Sequence, residues 1–486
     1  MVEKNFDVII VGAGLSGIGA AYHLQKACPR KNYAILEARE SIGGTWDLFR
    51  YPGIRSDSDM HTLGYHFKPW REAKSIADGP SILHYINETA KENNIDEHII
   101  YSSKVISANW SSKESQWKVS VFDTAQKKSV DYVCNFLQFS SGYYNYDAGY
   151  TPAYTELENF RGDFIHPQKW PEGLDYANKK IVVIGSGATA VTLVPSLAKT
   201  AQHVTMLQRT PTYVVSRPDK DAVANFLRKF LPEKLAYKIT RWKNIAFQQF
   251  FYRRARKNPE KVKQMILSGI RQELGSGYDV EKDFTPDYKP WDQRLCLVPN
   301  ADLFKSIRSG KANIVTNKIL RFVKNGVELQ SGEVLDADIV VSATGLDMVM
   351  MGGANIFVDD EPVDFSKVFT YKGMMFSGVP NLMSTFGYIN ASWTLRADLN
   401  SQYLCRLLEY MEKHKFQTCT PELRENEKEM VSRPWIDDFS PGYFQRILDV
   451  LPKQGSHEPW LNTQNYSADK KLLQKGRIDD GVMGFK

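Results

Sequence analysis

Apolar positions along the chain fall into short runs that alternate with stretches of helical spacing. Phe6 to Val11 reads as a β-rich strand and runs into Gly12-Ala13-Gly14-Leu15-Ser16-Gly17. A helical pattern through Ala20, Ala21 and Leu24 follows, then a second strand, Tyr33-Ala34-Ile35-Leu36, closing on Glu37. Residues from about 80 to 98 predict a helix with Ile82, Tyr85, Ile86 and Ala90 on one face. Alternation predicts strands at Trp117–Val121 and Tyr132–Phe139, ending in the turn Ser140-Ser141-Gly142, with Tyr143 to Pro152 as a polar, aromatic connector. The opening order then returns. Lys180–Ile184 is a strand, Gly185-Ser186-Gly187-Ala188-Thr189-Ala190 a turn, and a helix runs to about Lys199. The strand Val204–Leu207 closes this unit on Gln208-Arg209-Thr210. Long helical patterns occupy about 218 to 275; strands return at Ile314–Phe322, Gly326–Leu329 and Ala337–Val341, the last entering Ser342-Ala343-Thr344-Gly345. A final helix is expected from Ser392 through Leu395 and Leu399 to about Met411, and the tail beyond 412 is charged and mixed.

Strand, glycine turn, helix and strand in that order make a dinucleotide-binding unit. The glycines allow a tight turn and close approach of backbone to a pyrophosphate, which the helix N-terminus faces. The two units differ at the end of the second strand. Glu37 is placed to accept from ribose hydroxyls and would repel a 2′-phosphate, whereas Arg209 would pair with one. The first unit (Gly12, Gly14, Gly17, Glu37) is therefore expected to hold FAD. The second (Gly185, Gly187, Ala190, Arg209, Thr210) is expected to hold NADPH rather than NADH. The fold class is α/β, two Rossmann-like domains with a helical insertion. FAD-binding parts are expected at 1–145 and 346–486, the latter including the C-terminal tail. NADPH-binding parts are expected at 146–216 and 291–345, and the insertion at 217–290.

The chain has 486 residues, 42% apolar and 24% charged, which is the composition of an ordinary globular protein with room for two or three domains. A net charge of +6 is too small an excess to argue for nucleic acid. Five scattered cysteines exclude a disulfide framework and a Cys-x-x-Cys redox centre, and no metal site is expected. The N-terminus shows no basic and apolar leader, and no apolar run approaches the ~20 residues that cross a bilayer, so a cytoplasmic location is expected. The insertion interleaves cations (Arg228, Lys229, Lys234, Lys238, Arg241, Lys243, Arg253, Arg254, Arg256, Lys257, Lys261, Lys263) with aromatics (Phe226, Phe230, Tyr237, Trp242, Phe247, Phe250, Phe251, Tyr252). It reads as a solvated basic face over an apolar one or, more sharply, as a contact with a membrane surface.

Four further stretches carry chemistry. Gly43-Gly44-Thr45-Trp46 and Tyr51-Pro52-Gly53-Ile54-Arg55-Ser56-Asp57 are too rich in glycine and proline for a core strand and suit a lid over a flat cofactor. Phe160-x-Gly162-x-x-x-His166-x-x-x-Trp170-Pro171 lies between the two glycine turns and marks the join of the two halves. Gly387 to Ser392, including Asn390, leads into a helix whose N-terminus can stabilise negative charge on a reduced flavin.

Together these motifs resemble the paired signatures of Baeyer–Villiger monooxygenases, class B flavoprotein monooxygenases, over nearly the whole chain. Gly44 to Pro52, Trp291-Asp292-Gln293-Arg294 and Asn390 to Thr394 look closest to two neighbouring branches. One oxidises ketones and activates thioamide prodrugs such as ethionamide; the other is named for long-chain alkane hydroxylation. The resemblance implies a flavin reduced by NADPH that captures O2 as a C4a-peroxide and inserts oxygen into apolar ketones, giving esters, or oxidises sulfides. It implies Arg294 as the catalytic arginine, Asp57 as its carboxylate partner, and Phe160, Gly162, His166, Trp170 and Pro171 as hinge residues. Gln293 stands where many members have lysine, which leaves more of the NADPH selectivity to Arg209. The alternatives are an N- or S-oxygenase without ketone chemistry, a long-chain alkane hydroxylase, and a non-catalytic flavoprotein sensing NADPH.

Overall fold

The computed structural model describes residues 4–437 and 439–486; Met1 to Glu3, on which the reading of the leader partly rests, lie outside them. Two parallel sheets share one plan. In the first, Ile99–Ile100, Tyr33–Leu36, Lys4–Val11 and Lys128–Phe139 lie side by side in that order. In the second, Ala312–Thr316, His203–Gln208, Lys180–Ile184 and Ile339–Ser342 repeat it, with Asp163–Ile165 added at the edge. The correspondence reaches single hydrogen bonds: the Gly12 N–H donates to the Leu36 carbonyl and the Gly185 N–H to the Leu207 carbonyl, each at 2.8 Å.

Continuous apolar runs produce the central strands because both faces are covered. Val8, Ile10 and Ile35 are fully buried against the helix Leu15–Ala27, and Val183 packs against Leu193 and Val194 of the helix Ala188–Leu197. Each such aliphatic side chain contributes about 1.5–3 kcal/mol on leaving water. The first sheet also extends through an antiparallel meander, Ser103–Ser111 and Gln116–Asp123 against Lys128–Phe139.

Several elements differ from the sequence expectation. The connector contains a strand, Tyr144–Gly149, that pairs with Leu346–Met348 to form an antiparallel ribbon where the chain passes between the halves. The strand expected at Ile314–Phe322 is two, Ala312–Thr316 and Ile319–Val323, because the second leaves the parallel sheet for an antiparallel trio. The tail packs against the helix Trp393–His414. Its helix Tyr466–Lys475 presents Asp469 to Arg396 at 2.5 Å, and Met483–Phe485 pairs with Cys419–Pro421.

Helices Ala222–Phe230, Glu233–Lys257, Pro259–Leu274 and Val280–Phe284 fill the region expected to be helical. Its cations are not all on the surface. Buried Arg241 donates to the carbonyls of His61, Thr62 and Gly64 at 2.7–3.2 Å, and Asp398 lies beside it. Lys243 pairs with Asp221 at 2.8 Å. No helix among the described residues is long and apolar enough to cross a membrane.

Candidate active site

The first glycine turn is tight by necessity. Gly12 has φ +105°, and a Cβ there would lie 2.8 Å from the Ser140 carbonyl oxygen; a Cβ on Gly17 would lie 1.8 Å from the Gly12 carbonyl oxygen. Gly14 caps the helix with no side-chain acceptor, leaving the first-turn N–H groups open to a ligand. Glu37 accepts from the Ala13 N–H at 2.7 Å and the Arg39 N–H at 2.9 Å. Burial raises its pKa, opposed by those two donors.

Gly44, at φ +57°, lies against the same turn: a Cβ would be 3.1 Å from the Gly14 Cα. Trp46 and Tyr146 line the groove beside it. Sequence reasoning missed the post on which this loop stands. Asp47, only 4% exposed, accepts from Arg39 and Ser41 at 2.5 Å and from Arg50 at 2.8 Å. Burial works against its charge, but Ser41, Arg39 and Arg50 outweigh it and lower the pKa.

The stretch from Tyr51 to Asp57 docks on the second half. Gly53, at φ +79°, leaves no space for a side chain, since a Cβ would meet the Ser196 Cβ at 2.8 Å. Arg55 pairs with Asp302 at 2.5 Å. At the end of the stretch Asp57 Oδ2 accepts from Arg294 Nη1 at 3.2 Å. Three tyrosines that sequence reasoning did not single out surround this pair: Tyr143, Tyr144 and Tyr443. The Tyr143 and Tyr144 hydroxyls are 2.7 Å apart, and Tyr143 stacks on Trp393, whose Nε1 donates to Ser16 Oγ at 2.8 Å. Burial raises all three phenols above their ordinary range, with Arg294 opposing, so they stay protonated donors. Burial also opposes the Arg294 charge, but the acidic groups around it, with Asp57 the ionised one, hold its pKa above the ordinary value. Arg294 Nε and Ser140 Oγ are buried without a protein partner, as expected where a ligand completes the site.

The second glycine turn is built alike: Gly185 has φ +136° and faces the Ala343 carbonyl oxygen, while around Gly187 there is open space. Ala190 is fully buried where the first unit has Gly17. Ser186 Oγ donates to the Thr210 carbonyl at 3.1 Å, which sets Arg209 and Thr210, both exposed, beside the turn. One cavity of about 740 Å³ runs from Gly12, Gly14 and Glu37 past Trp46, Asp57 and Arg294 to Ala188 and Thr189 at the second helix N-terminus. The donor set, the open helix ends and the two unpartnered polar atoms fit two adenine dinucleotides meeting near Arg294.

A second chamber, about 550 Å³, lies under the insertion and is lined by Val215, Phe247, Phe251 and Leu295. Asp57 and Arg294 stand in the wall common to both cavities. Asn390 faces this chamber, not the groove, and donates its amide to the Gln464 carbonyl at 2.9 Å; its neighbours Ala391 and Trp393 line the groove.

The stretch from Phe160 to Pro171 clamps the ribbon between the halves. Phe160 packs into the second core beside Phe322, and Gly162 lets the chain pass the Asp338 carbonyl, where a Cβ would be 2.2 Å away. His166 Nδ1 accepts from the Gln168 N–H at 3.2 Å, which leaves Nε2 protonated to donate to the Gly345 carbonyl at 3.1 Å. Burial lowers its pKa, opposed by that carbonyl, so the imidazole is neutral. Trp170 is half-buried against Tyr176, and Pro171 is exposed.

A model of flavin-binding monooxygenase-like proteins matches residues 73–408, more than half the chain. The chain belongs to the flavin-binding monooxygenase-like family. A model of NAD(P)-binding Rossmann-like domains matches residues 10–74, which hold the first glycine turn. This family member is 54% identical over 485 residues to the FAD-containing monooxygenase EthA of Mycobacterium tuberculosis, covering 100% of this chain and 98% of EthA. It is 49% identical to AlmA of Acinetobacter baylyi, covering 100% and 97%. The fold matches that of an oxidized steroid monooxygenase bound to NADP, with TM-score 0.77, 19% identity and 99% of both chains covered. Cyclohexanone monooxygenase from Rhodococcus sp. Phi1 bound to NADP+ aligns with TM-score 0.77 and 19% identity, over 100% of this chain and 99% of the other. Membership of the family makes the protein an enzyme and sets aside the non-catalytic sensor.

Proposed function

We propose that the protein is an FAD-containing, NADPH-dependent Baeyer–Villiger monooxygenase that inserts one oxygen of O2 into apolar ketones to give esters. One observation carries this reading: the Asp57–Arg294 pair, 3.2 Å apart, stands in the wall between a groove reaching both glycine turns and an apolar chamber. FAD, reduced by NADPH, supplies the activation of O2 when bound. The chain does the rest. Gly12, Gly14 and Gly17 admit one pyrophosphate, Glu37 takes a ribose, and Gly44 and Trp46 close over the groove. Gly185, Gly187 and Ala190 receive the second dinucleotide, with Arg209 and Thr210 at its 2′-phosphate. Arg294 stabilises negative charge as it develops on the ketone oxygen, and Asp57 fixes the guanidinium plane. The apolar chamber keeps water from the reacting carbonyl. Phe160, Gly162, His166, Trp170 and Pro171 hold the ribbon on which the halves meet. In this reading residues 1–145 and 346–486 carry FAD, 146–216 and 291–345 carry NADPH, and 217–290 roof the chamber.

Arg294→Ala is expected to keep bound flavin that NADPH still reduces, and to lower ester formation by about 10²–10³-fold, the effect of removing one preorganised donor. Ester yield at the normal rate would refute the assignment.

We further propose that the insertion rests on an anionic lipid surface. Phe226, Phe230, Trp242 and Phe250 are 61%, 71%, 72% and 60% exposed on its first two helices. Lys229, Lys234, Lys238, Arg253 and Arg254 are exposed on the same helices. Aromatics beside cations suit the headgroup region. Val223 and Phe247 line the chamber and are also exposed, so the chamber opens near this surface. Sedimentation with phosphatidylglycerol vesicles should exceed that with phosphatidylcholine and fall in Trp242→Ala; equal sedimentation with both would reject the contact.

A further inference from the structure

The chamber wall holds a cation that the proposed chemistry does not use. Arg217 ends the strand Val214–Arg217, which pairs in parallel with Cys296–Pro299 just beyond Arg294. Its guanidinium lies 4.9 Å from the Phe247 ring centroid and 5.9 Å from that of Phe251, both on the roofing helix. Those contacts hold the guanidinium in place while leaving its N–H donors unpaired. Every other cation of the wall is accounted for. Arg294 pairs with Asp57 and Lys243 with Asp221, and Lys220 stands exposed at the rim. Arg217 makes no side-chain hydrogen bond or ion pair among the described residues, although it lines the cavity.

The carboxylate whose field reaches Arg217 is engaged elsewhere. Asp59 accepts from the Thr62 N–H and hydroxyl, from Asn244 and from Gln248, at 2.9–3.1 Å. It adds to the field at Arg217 without meeting it. Burial lowers the Arg217 pKa, with Asp59 opposing, so a guanidinium is kept part-desolvated in an apolar chamber. Guanidinium donors in such surroundings are matched by a planar, bidentate anion.

We propose that Arg217 receives the carboxylate of a linear oxo acid whose chain lies along Phe247, Phe251 and Val215 and whose ketone reaches Arg294. This rests on the monooxygenase reading and adds the substrate class: amphiphiles with an acid at one end and a carbonyl along an apolar chain, in preference to neutral ketones.

Two measurements on the FAD-loaded enzyme test it. In turnover with NADPH, wild type should favour 11-oxododecanoate over its methyl ester, and the acid-to-ester ratio of kcat/KM should fall about ten- to hundredfold in Arg217→Leu, the scale of one charge-assisted contact. Arg217→Lys should restore part of the ratio. In calorimetry, dodecanoate should bind more tightly than dodecanol in wild type and lose that advantage in Arg217→Leu, which needs no turnover. Equal use of acid and ester by wild type overturns the proposal. So does an Arg217→Leu enzyme whose ratio is intact but whose KM for NADPH rises, since Arg217 would then serve the nucleotide. A carboxylate-dependent binding advantage in an enzyme that oxygenates no ketone would keep the subsite and reject the reaction.

Discussion

A single methyl group at Gly149 should loosen the clamp between the two halves. A Cβ at this position would lie 2.0 Å from His166 Cε1 and 2.6 Å from Nε2, against the ~3.5–4.0 Å of an ordinary contact. The imidazole must therefore retreat by roughly 1.5 Å, a shift set by that difference in contact distance. It cannot do so and keep both its bonds, Nε2 to the Gly345 carbonyl at 3.1 Å and Nδ1 from the Gln168 N–H at 3.2 Å. Losing one bond costs about 0.5–1.5 kcal/mol and forcing a methyl into a packed site about 1–3 kcal/mol, so Gly149→Ala should destabilise by about 2–4 kcal/mol. The backbone is not at issue, since Gly149 has no left-handed φ. Urea unfolding with and without His166→Ala gives a double-mutant cycle. In the His166→Ala background the methyl finds the vacated space, and its cost should fall below about 1 kcal/mol. Stopped-flow reduction of the flavin by NADPH should slow in Gly149→Ala and not slow further in the double mutant. A methyl that costs nothing in the wild-type background, or costs as much without the imidazole, would refute the clamp.

Arg209→Gln should lower kcat/KM for NADPH about tenfold while leaving NADH nearly unchanged, the low end of a charge-assisted contact because the side chain is exposed; steady-state kinetics with both coenzymes decide it. Asp47→Asn should destabilise by about 2–3 kcal/mol, since Arg39, Arg50 and Ser41 lose a common buried acceptor. The folded pKa of Asp47 is lowered, so its stabilisation is present above the unfolded carboxylate value near ~3.9 and is lost as pH falls through the folded pKa. Unfolding free energies of wild type and Asp47→Asn should therefore converge only on the acid side of that value; a constant difference down to pH 2 would count against it.

Both glycine turns were legible because their signal is local: a buried strand, a turn that only glycine fits, and a helix within about thirty residues. The acid against arginine contrast at Glu37 and Arg209 was equally local. The Asp57–Arg294 pair spans 237 positions, and only the resemblance joined its members. The tyrosines around it carry no pattern, since Tyr143 and Tyr144 read as connector and Tyr443, on the short helix Gly442–Gln445, as tail. The split of Ile314–Phe322 escaped notice because apolar runs do not reveal which partner a strand will choose. Asn390 went to the other side of its wall for a similar reason: a turn fixes where a residue stands, and the partner Gln464 fixes where its amide goes.

One wall between two compartments also separates two kinds of evolutionary change. Phe247, Phe251 and Val215 face the chamber and not the dinucleotide groove, so their volume can drift without altering how electrons arrive. Residues of the groove can in turn stay fixed while organic cargo changes. A scaffold partitioned in this way can acquire new substrates by repapering one room, provided the guanidinium doorway stays in place.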